Sequence, residues 1–344
     1  MDIIPDAVER LAHVRAAAGL APVAPPRLLE SHSNDTWLLD DAERGSAVLR
    51  VSWRGDVDRL EREVAVAAAM PKTVRYPEVL THGRTCLDGV ELSYSLTRRL
   101  AGVALDGRWP SLSDAQRRSA VSQLAMMLRD LHAWTPPATL VEPLLARWDL
   151  AGQDITGLLG ADITPLPVAR AVRLAEHAKG IRHVDPRLMT DVIGVLDELG
   201  PLAQPVDDPT GNGVVHGDLH LSNLLWSDAG EVTLLDFEWV RFGPPLLDLQ
   251  RLCENADSDV LNGVDTHPTV LRWLESDYPE PFGAAHAPER VRLYSLVYAI
   301  RHVIVAPPDR DATDLPPDHS LHRLRRLVEG TWPQPGALPE SLAP

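Results

Sequence analysis

Cysteine is nearly absent from this chain: Cys86 and Cys253 are the only two in 344 residues. So small and widely spaced a pair makes neither a disulfide framework nor a metal knuckle, and buried free thiols are the simplest reading. No apolar run reaches the length of a membrane span. The opening twenty residues carry Asp2, Asp6 and Glu9 and lack the apolar h-region of a secretory signal, so a cytoplasmic protein without a membrane partner is expected. No G-x-x-x-x-G-K-[ST] run occurs, which excludes the P-loop architecture. Lysine is as scarce as cysteine, with only Lys72 and Lys179, and basic charge is in deficit overall. The formal net charge is −16. Residues 1–100 carry 13 basic against 15 acidic side chains, so −14 falls on the remainder. Such a field repels a phosphate backbone and argues against nucleic acid as a partner. It is a solubility surface or an attraction for a cationic small molecule.

What is present is the composition of an ordinary globular protein, 44% hydrophobic and long enough for two adjoining lobes. Asp6 to Gly19 reads as a helix with a glycine stop, followed by a Pro-rich break at Pro22 to Pro26. Short β-prone runs follow at Leu28-Leu29, Thr36 to Leu39 and Ala47 to Val51, divided by polar turns. A helix from about Val57 to Met70 ends at Pro71, and further strands are expected over Glu78 to His82 and Glu91 to Thr97. After Gly102 the pattern turns helical. Ser113 and Gln116 form a capping box for Asp114 to His132, whose apolar stripe is Val121, Leu124, Leu128 and Leu131. Short helical patterns fill residues 136–190, and a hairpin with its turn at Ser227 to Gly230 lies within Val214 to Glu238. Helices are expected over Leu247 to Glu254, Pro268 to Asp277, Glu289 to Val305 and Leu321 to Gly330.

The segment richest in chemistry is Val214-Val215-His216-Gly217-Asp218-Leu219-His220-Leu221-Ser222-Asn223, with Leu234-Leu235-Asp236-Phe237-Glu238 closing the hairpin after it. Kinase catalytic loops have the form H-x-D-x-x-x-x-N and are followed by a metal-binding Asp on the next hairpin. Asp218 and Asn223 have that offset. A carboxylate at Asp218 would orient an alcohol and accept its proton, as the catalytic base. Asn223 and Asp236 supply the hard oxygens that magnesium prefers. Either motif alone reads as a turn or a strand end; their order, with the hairpin between them, favours phosphoryl transfer.

These residues, His216-Gly217-Asp218-Leu219-His220-x-x-Asn223 with Leu235-Asp236-Phe237-Glu238, resemble the aminoglycoside phosphotransferase and choline kinase family. The resemblance implies an α+β, bilobal protein-kinase-like fold, with a small antiparallel-sheet lobe over residues 1–99 for nucleotide and a larger helical lobe over 100–344 for catalysis and substrate. It implies Mg2+ and ATP or GTP as cofactors. It extends outward to Ser31 to Trp37, which resembles the family's nucleotide loop and makes Ser33 and Asn34 candidates for covering phosphate. Thr97 to Gly102 resembles its hinge, with Thr97, Arg99 and Leu100 as nucleotide contacts. Arg50 stands where kinases place the strand lysine. Its expected partner is Glu63, with Glu61 as runner-up; a surface pair between Glu63 and Arg59 is the plain alternative. No G-x-G-x-x-G precedes Arg50, and Glu238 replaces the glycine of the D-F-G signature, which argues against a switchable activation loop. Asp248 resembles the helix-borne aspartate that braces the catalytic loop, and His216 belongs to the same structural support.

The resemblance leaves several hydroxyl substrates open. A sugar-bearing or nucleoside antibiotic is the first expectation, in keeping with an Ala-, Arg- and Pro-rich composition like that of a high-GC bacterium. A metabolic alcohol kinase acting on a choline-, homoserine- or methylthioribose-like substrate is the second, and a non-catalytic nucleotide-binding regulator the third. Asp154, Asp185, Glu275, Asp277 and Asp309 are candidates to meet a cationic acceptor. His132, His302 and His322 read as surface or core residues, and Trp134, Trp148 and Trp273 as core.

Overall fold

A computed structural model describes residues 5–29, 34–54, 56, 58–145, 168–204, 208–306 and 315–343. Helix α1 (Ala7–Ala18) starts where the Asp6 carboxylate accepts from the Val8 and Glu9 amides while Glu9 returns a bond to the Asp6 amide, and it stops at Gly19, with φ 63°. Strands β1 (Arg27–Leu29), β2 (Asp35–Asp41), β3 (Gly45–Ser52), β4 (Val79–Leu87) and β5 (Val90–Arg98) form an antiparallel sheet in the order β1-β2-β3-β5-β4. On β3 the alternation of side chains sends Ala47, Leu49 and Val51 into a core with Leu11 and Val14 of α1, which leaves Val48 and Arg50 for the opposite face.

Between β3 and β4 runs α2 (Arg59–Ala69). Its buried face carries Leu60, Val64 and Val66 but also Arg59 and Glu63, two charges that need partners at that depth. The β4–β5 hairpin is longer than the expected Glu78 to His82. Its two-residue turn is Asp88-Gly89, both at positive φ, so the strands continue to the turn in the manner of a type I′ hairpin. Cys86 on this outer strand is exposed, contrary to the expectation of a buried thiol, whereas Cys253 is buried.

The second lobe opens with β6 (Val103–Ala104), the single-turn α3 (Leu105–Arg108) and α4 (Asp114–Ala133), which has the Ser113 and Gln116 capping box. The α4 stripe of Val121, Leu124, Leu128 and Leu131 is at most 1% exposed and forms the centre of a continuous core. Next come α5 (Ala138–Leu144), α6 (Val168–Ala178), α7 (Pro186–Leu199), β7 (Gly213–Val215), β8 (Leu224–Trp226), β9 (Val232–Leu234) and β10 (Arg241–Gly243). Helices α8 (Leu246–Leu261), α9 (Thr266–Asp277), α10 (Ala287–Val305) and α11 (Ser320–Glu329) complete it. Strand β7 pairs with β10 and β8 with β9, so residues 216–223 link β7 to β8 and Asp236 follows β9.

Helix α8 runs two turns beyond its expected end at Glu254. The polar run Glu254 to Asp259 stays helical because arginines of α11 meet its carboxylates, Arg323 at Glu254 (3.3 Å) and Arg326 at Asp257. Among the described residues, no helix is long and apolar enough to cross a membrane.

Two glycines give opposite expectations. A Cβ at Gly213 would lie 2.4 Å from the His132 carbonyl oxygen, whereas one at Gly194, exposed within α7, would meet nothing within 4 Å. Gly213→Ala is expected to destabilise the fold by about 1–3 kcal/mol, as overpacking does. Gly194→Ala is expected to stabilise it by about 0.5–1 kcal/mol, by removing a mid-helix glycine. Urea unfolding of the two variants beside the parent chain checks both signs.

Candidate active site

The segment between β7 and β8 is held from below by one carboxylate. Asp248, on the first turn of α8 and 1% exposed, accepts from the His216 amide at 2.9 Å and the Gly217 amide at 2.8 Å, and His132 Nε2 lies 2.9 Å from the same carboxylate. His132 contacts the Tyr278 hydroxyl through Nδ1, at 2.9 Å. It is neither a surface residue nor simple core filling; it is the brace behind Asp248. Burial would raise the Asp248 pKa, but the hydrogen bonds from His132 and the Gly217 amide outweigh it and hold the carboxyl below its ordinary value. His216 donates from Nε2 to the Leu235 carbonyl (2.8 Å), which leaves Nδ1 to accept from the Asp218 amide (3.3 Å). Gly217 sits at φ 86°, where a Cβ would fall 2.3 Å from the Trp239 carbonyl oxygen, so only glycine fits.

Asp218 therefore stands on a fixed loop. Its Oδ1 is buried 3.3 Å from Arg251 Nε, and its Oδ2 lies 3.6 Å from His220 Nε2. Burial pushes the Asp218 carboxyl up, yet the contact with His220 and the charge of Arg251 bring it below the ordinary carboxylate value. Asn223 donates from Nδ2 to the Asp218 carbonyl (3.0 Å) and accepts from the Leu235 amide through its own carbonyl (2.9 Å), tying the loop to the approach of Asp236. Arg251 was not foreseen. Its guanidinium stacks 4.3 Å above the Tyr298 ring and is backed by Glu254 at 3.5 Å. In sequence it reads as one more helix-surface arginine, and nothing local marks it.

The first lobe adds the expected ion pair, since Arg50 meets Glu63, and Arg50 Nη1 also reaches Asp236 Oδ1 at 2.6 Å. Tyr76 donates its hydroxyl to Glu63 Oε1 (2.5 Å), which also accepts from the Phe237 amide (3.0 Å). Glu63 thus accounts for its buried charge through three partners. The runner-up, Glu61, pairs instead with Arg84 at the surface (2.6 Å). Arg59 does not form the surface pair with Glu63; it reaches Asn34. Asp236 takes φ 62°, a left-handed conformation uncommon for a residue with a side chain. Its carboxyl is pushed above the ordinary value by burial, which the Arg50 charge opposes and the Glu63 and Asp218 charges reinforce.

The outer candidates divide. Asn34 is 5% exposed and its amide is committed to Glu238 (2.6 Å) and Arg59 (3.2 Å); Ser33 lies outside the described residues. Thr97 is buried opposite Val48 in the β3–β5 ladder, Arg99 is exposed with its amide bonded to Ser46, and Leu100 lines a cavity of about 880 Å³ with Met70, Tyr76, Val79 and Thr233. Of the acids expected to meet a cationic acceptor, Asp277 is taken by Arg118 and by Ser122 (2.6 Å), Glu275 accepts from Ser341 (2.5 Å) and Asp185 caps α7. Asp154 and Asp309 lie outside the described residues, as does Trp148. Trp134 and Trp273 pack against the core as expected.

The remaining oxygens suit a divalent cation held jointly with phosphates. Asn223 spends its amide nitrogen on the Asp218 carbonyl, leaving Oδ1 as an acceptor, and Asp236 offers a carboxylate. Among the described residues no group of three or more His, Cys, Asp or Glu side chains could hold a metal ion.

The chain belongs to the phosphotransferase enzyme family, APH, which matches residues 26–282. Its fold is the bilobal kinase-like one. Amicoumacin kinase hAmiN, solved with AMP-PNP, Ca2+ and Ami, superposes with a TM-score of 0.64 at 14% identity, over 96% of this chain and 95% of the other. A thermostable variant of aminoglycoside phosphotransferase APH(4)-Ia, solved with ADP and hygromycin B, gives 0.60 at 18% identity over 93% and 98%. Spectinomycin phosphotransferase APH(9)-Ia, with ADP and spectinomycin, gives 0.56 at 11% over 94% and 97%. No curated protein sequence matches the chain.

Asp248→Asn is expected to cost about 3–5 kcal/mol at pH 7, because it leaves His132 and two buried amides facing an uncharged group. The folded-state pKa of Asp248 is depressed, so its contribution is present above the unfolded value of about 3.9 and is lost as pH falls through the folded value. The stability gap between variant and parent should therefore narrow in acid, as denaturant titrations between pH 7 and pH 3 will register.

Proposed function

We propose that the protein is an O-phosphotransferase that moves the γ-phosphoryl group of ATP or GTP to a hydroxyl of a small molecule, with Asp218 as catalytic base. The observation that carries this reading is the convergence of Asp218 and Asn223, from the β7–β8 connection, with Asp236, from the connection after β9, and the Arg50–Glu63 pair reaching the same group from the other lobe. In this reading residues 1–99 hold the nucleotide, and residues 100–344 supply the base and bind the acceptor.

Bound magnesium nucleotide supplies the transferable phosphoryl group and neutralises charge that develops on it. The chain's own part is positioning. Asp218, with Oδ1 pinned against Arg251, offers its other oxygen to an acceptor hydroxyl and receives its proton. Its depressed pKa keeps it ionised at neutral pH, ready to accept. Asn223 Oδ1 and Asp236 are the metal ligands, and the fixed charge of Arg50 balances phosphate. Arginine keeps that charge at any working pH and can fork two oxygens. His216 and Asp248 act only through the loop they hold.

For the acceptor, a sugar-bearing or nucleoside antibiotic is the favoured class, supported by the antibiotics that the structural neighbours hold. The test is magnesium-dependent nucleotide consumption over aminoglycosides, nucleoside antibiotics, macrolides and small metabolic alcohols, with ATP and GTP run separately. Asp218→Ala is expected to reduce acceptor-dependent release of diphosphate by about 10²–10⁴-fold while leaving nucleotide binding intact. Asn223→Ala and Asp236→Ala are expected instead to weaken the magnesium-dependent nucleotide complex. Unchanged turnover in Asp218→Ala would remove the assignment of the base. Turnover of a metabolic alcohol alone would move the acceptor out of the antibiotic class.

A further inference from the structure

Glu238 has no task in the chemistry above, yet it is 1% exposed and ionisable. A buried carboxylate at that depth is kept only with partners. Its Oε2 accepts from Asn34 Nδ2 at 2.6 Å and lies 3.5 Å from Arg59 Nε, while Arg59 Nη2 donates to Asn34 Oδ1 at 3.2 Å, closing a triangle of three side chains that are each at most 5% exposed. The Glu238 carbonyl accepts from Arg62 at 3.3 Å, and the Arg59 guanidinium lies 5.8 Å from the centre of the Trp239 ring.

The corners of this triangle belong to three different elements. Asn34 immediately precedes β2 and lies within the segment, Ser31 to Trp37, that resembles a nucleotide loop. Arg59 and Arg62 lie on α2 together with Glu63, and positions 59, 62 and 63 share one helix face. From that face Glu63 takes the Phe237 amide, Arg62 takes the Glu238 carbonyl and Arg59 takes the Glu238 side chain. Every residue of the turn from Asp236 to Glu238 is thus gripped from the first lobe, with Arg50 holding the Asp236 carboxylate. A glycine at 238, as in the D-F-G signature, would take away the carboxylate to which Asn34 Nδ2 donates and which faces the Arg59 guanidinium.

We propose that Glu238 is a positioning residue that couples nucleotide binding to metal binding: its carboxylate joins Asn34, in the segment that resembles a nucleotide loop, to the turn that presents Asp236. The inference rests on the phosphotransferase reading, in which Asp236 is a metal ligand. Loss of the carboxylate uncouples the two ends, so a displacement of Asn34 by nucleotide no longer bears on the placement of Asp236. The reciprocal also holds, because a coupling between two sites acts equally in both directions.

The test needs no acceptor. AMP-PNP binding to the full-length chain is measured by calorimetry, with and without magnesium, for the parent, Glu238→Gln, Asn34→Ala and the double variant. The expected result is that each single change reduces the magnesium enhancement of AMP-PNP affinity by about ten-fold. The double change should cost no more than the larger single one, as for residues acting through one link. Thermal melting of each variant tracks folding. Should Glu238→Gln not fold, the pair Asn34→Ala and Arg59→Lys carries the same cycle. Additive losses, or an unchanged magnesium enhancement in Glu238→Gln, would overturn the proposal. A parent chain that binds no AMP-PNP in either condition would remove the phosphotransferase reading beneath it, a result distinct from binding that is merely uncoupled.

Discussion

The carboxylate of Asp248, at the root of helix α8, gathers the amides of His216 and Gly217 and the ring of His132, and the rest of the site inherits its position from that contact. His216 passes the constraint to the end of β9 through the Leu235 carbonyl, and Asn223 passes it back through the Leu235 amide. Asp218 is therefore fixed from two sides before any substrate is considered. Such preorganisation matters because phosphoryl transfer asks the protein for position and charge more than for covalent chemistry.

The first lobe contributes a second frame with a different character. Glu63 lies on the buried face of α2, and its burial is tolerated because Arg50, Tyr76 and the Phe237 amide all converge on it. The same convergence holds Asp236 in a left-handed backbone conformation that an aspartate would rarely adopt in a free chain. A glycine would relax the backbone there but would bring no carboxylate. Placement of that side chain has been kept at the cost of local conformational ease.

Much of this is legible in the sequence, and the division is physical. The offset of Asp218 from Asn223 and the hairpin leading to Asp236 are local in sequence, so motif and turn signals suffice. The direction of Arg50 follows from strand alternation, and Glu63 from the face of a single helix. Contacts across long stretches were not legible: His132 and Asp248 are 116 residues apart, and Asn34 and Glu238 are 204 apart. His132 looked like any histidine near a helix end, and Arg251 like any surface arginine. The length of β4 was a different kind of miss, since the Asp88-Gly89 pair that closes the hairpin is a local signal. The helical state of the polar stretch at the end of α8 is not legible locally because its partners, Arg323 and Arg326, arrive from a helix some 70 residues onward.

In the proposed reading, the arginine at position 50 would also change how the nucleotide site responds to chemical probes. Kinases that carry a lysine on the corresponding strand present an amine beside the phosphates, which acylating nucleotide analogues can modify. Here that position holds a guanidinium whose pKa, lowered by burial but raised further by Glu63, Tyr76 and Asp236, ends well above its ordinary value. It has no free lone pair to offer an acylating group. The only amine among side chains 1–100 is Lys72, in the turn after α2. In the proposed reading, an affinity reagent aimed at the strand position would find no amine there, and any label on this lobe's side chains would fall on Lys72, which borders the cavity lined by Leu100.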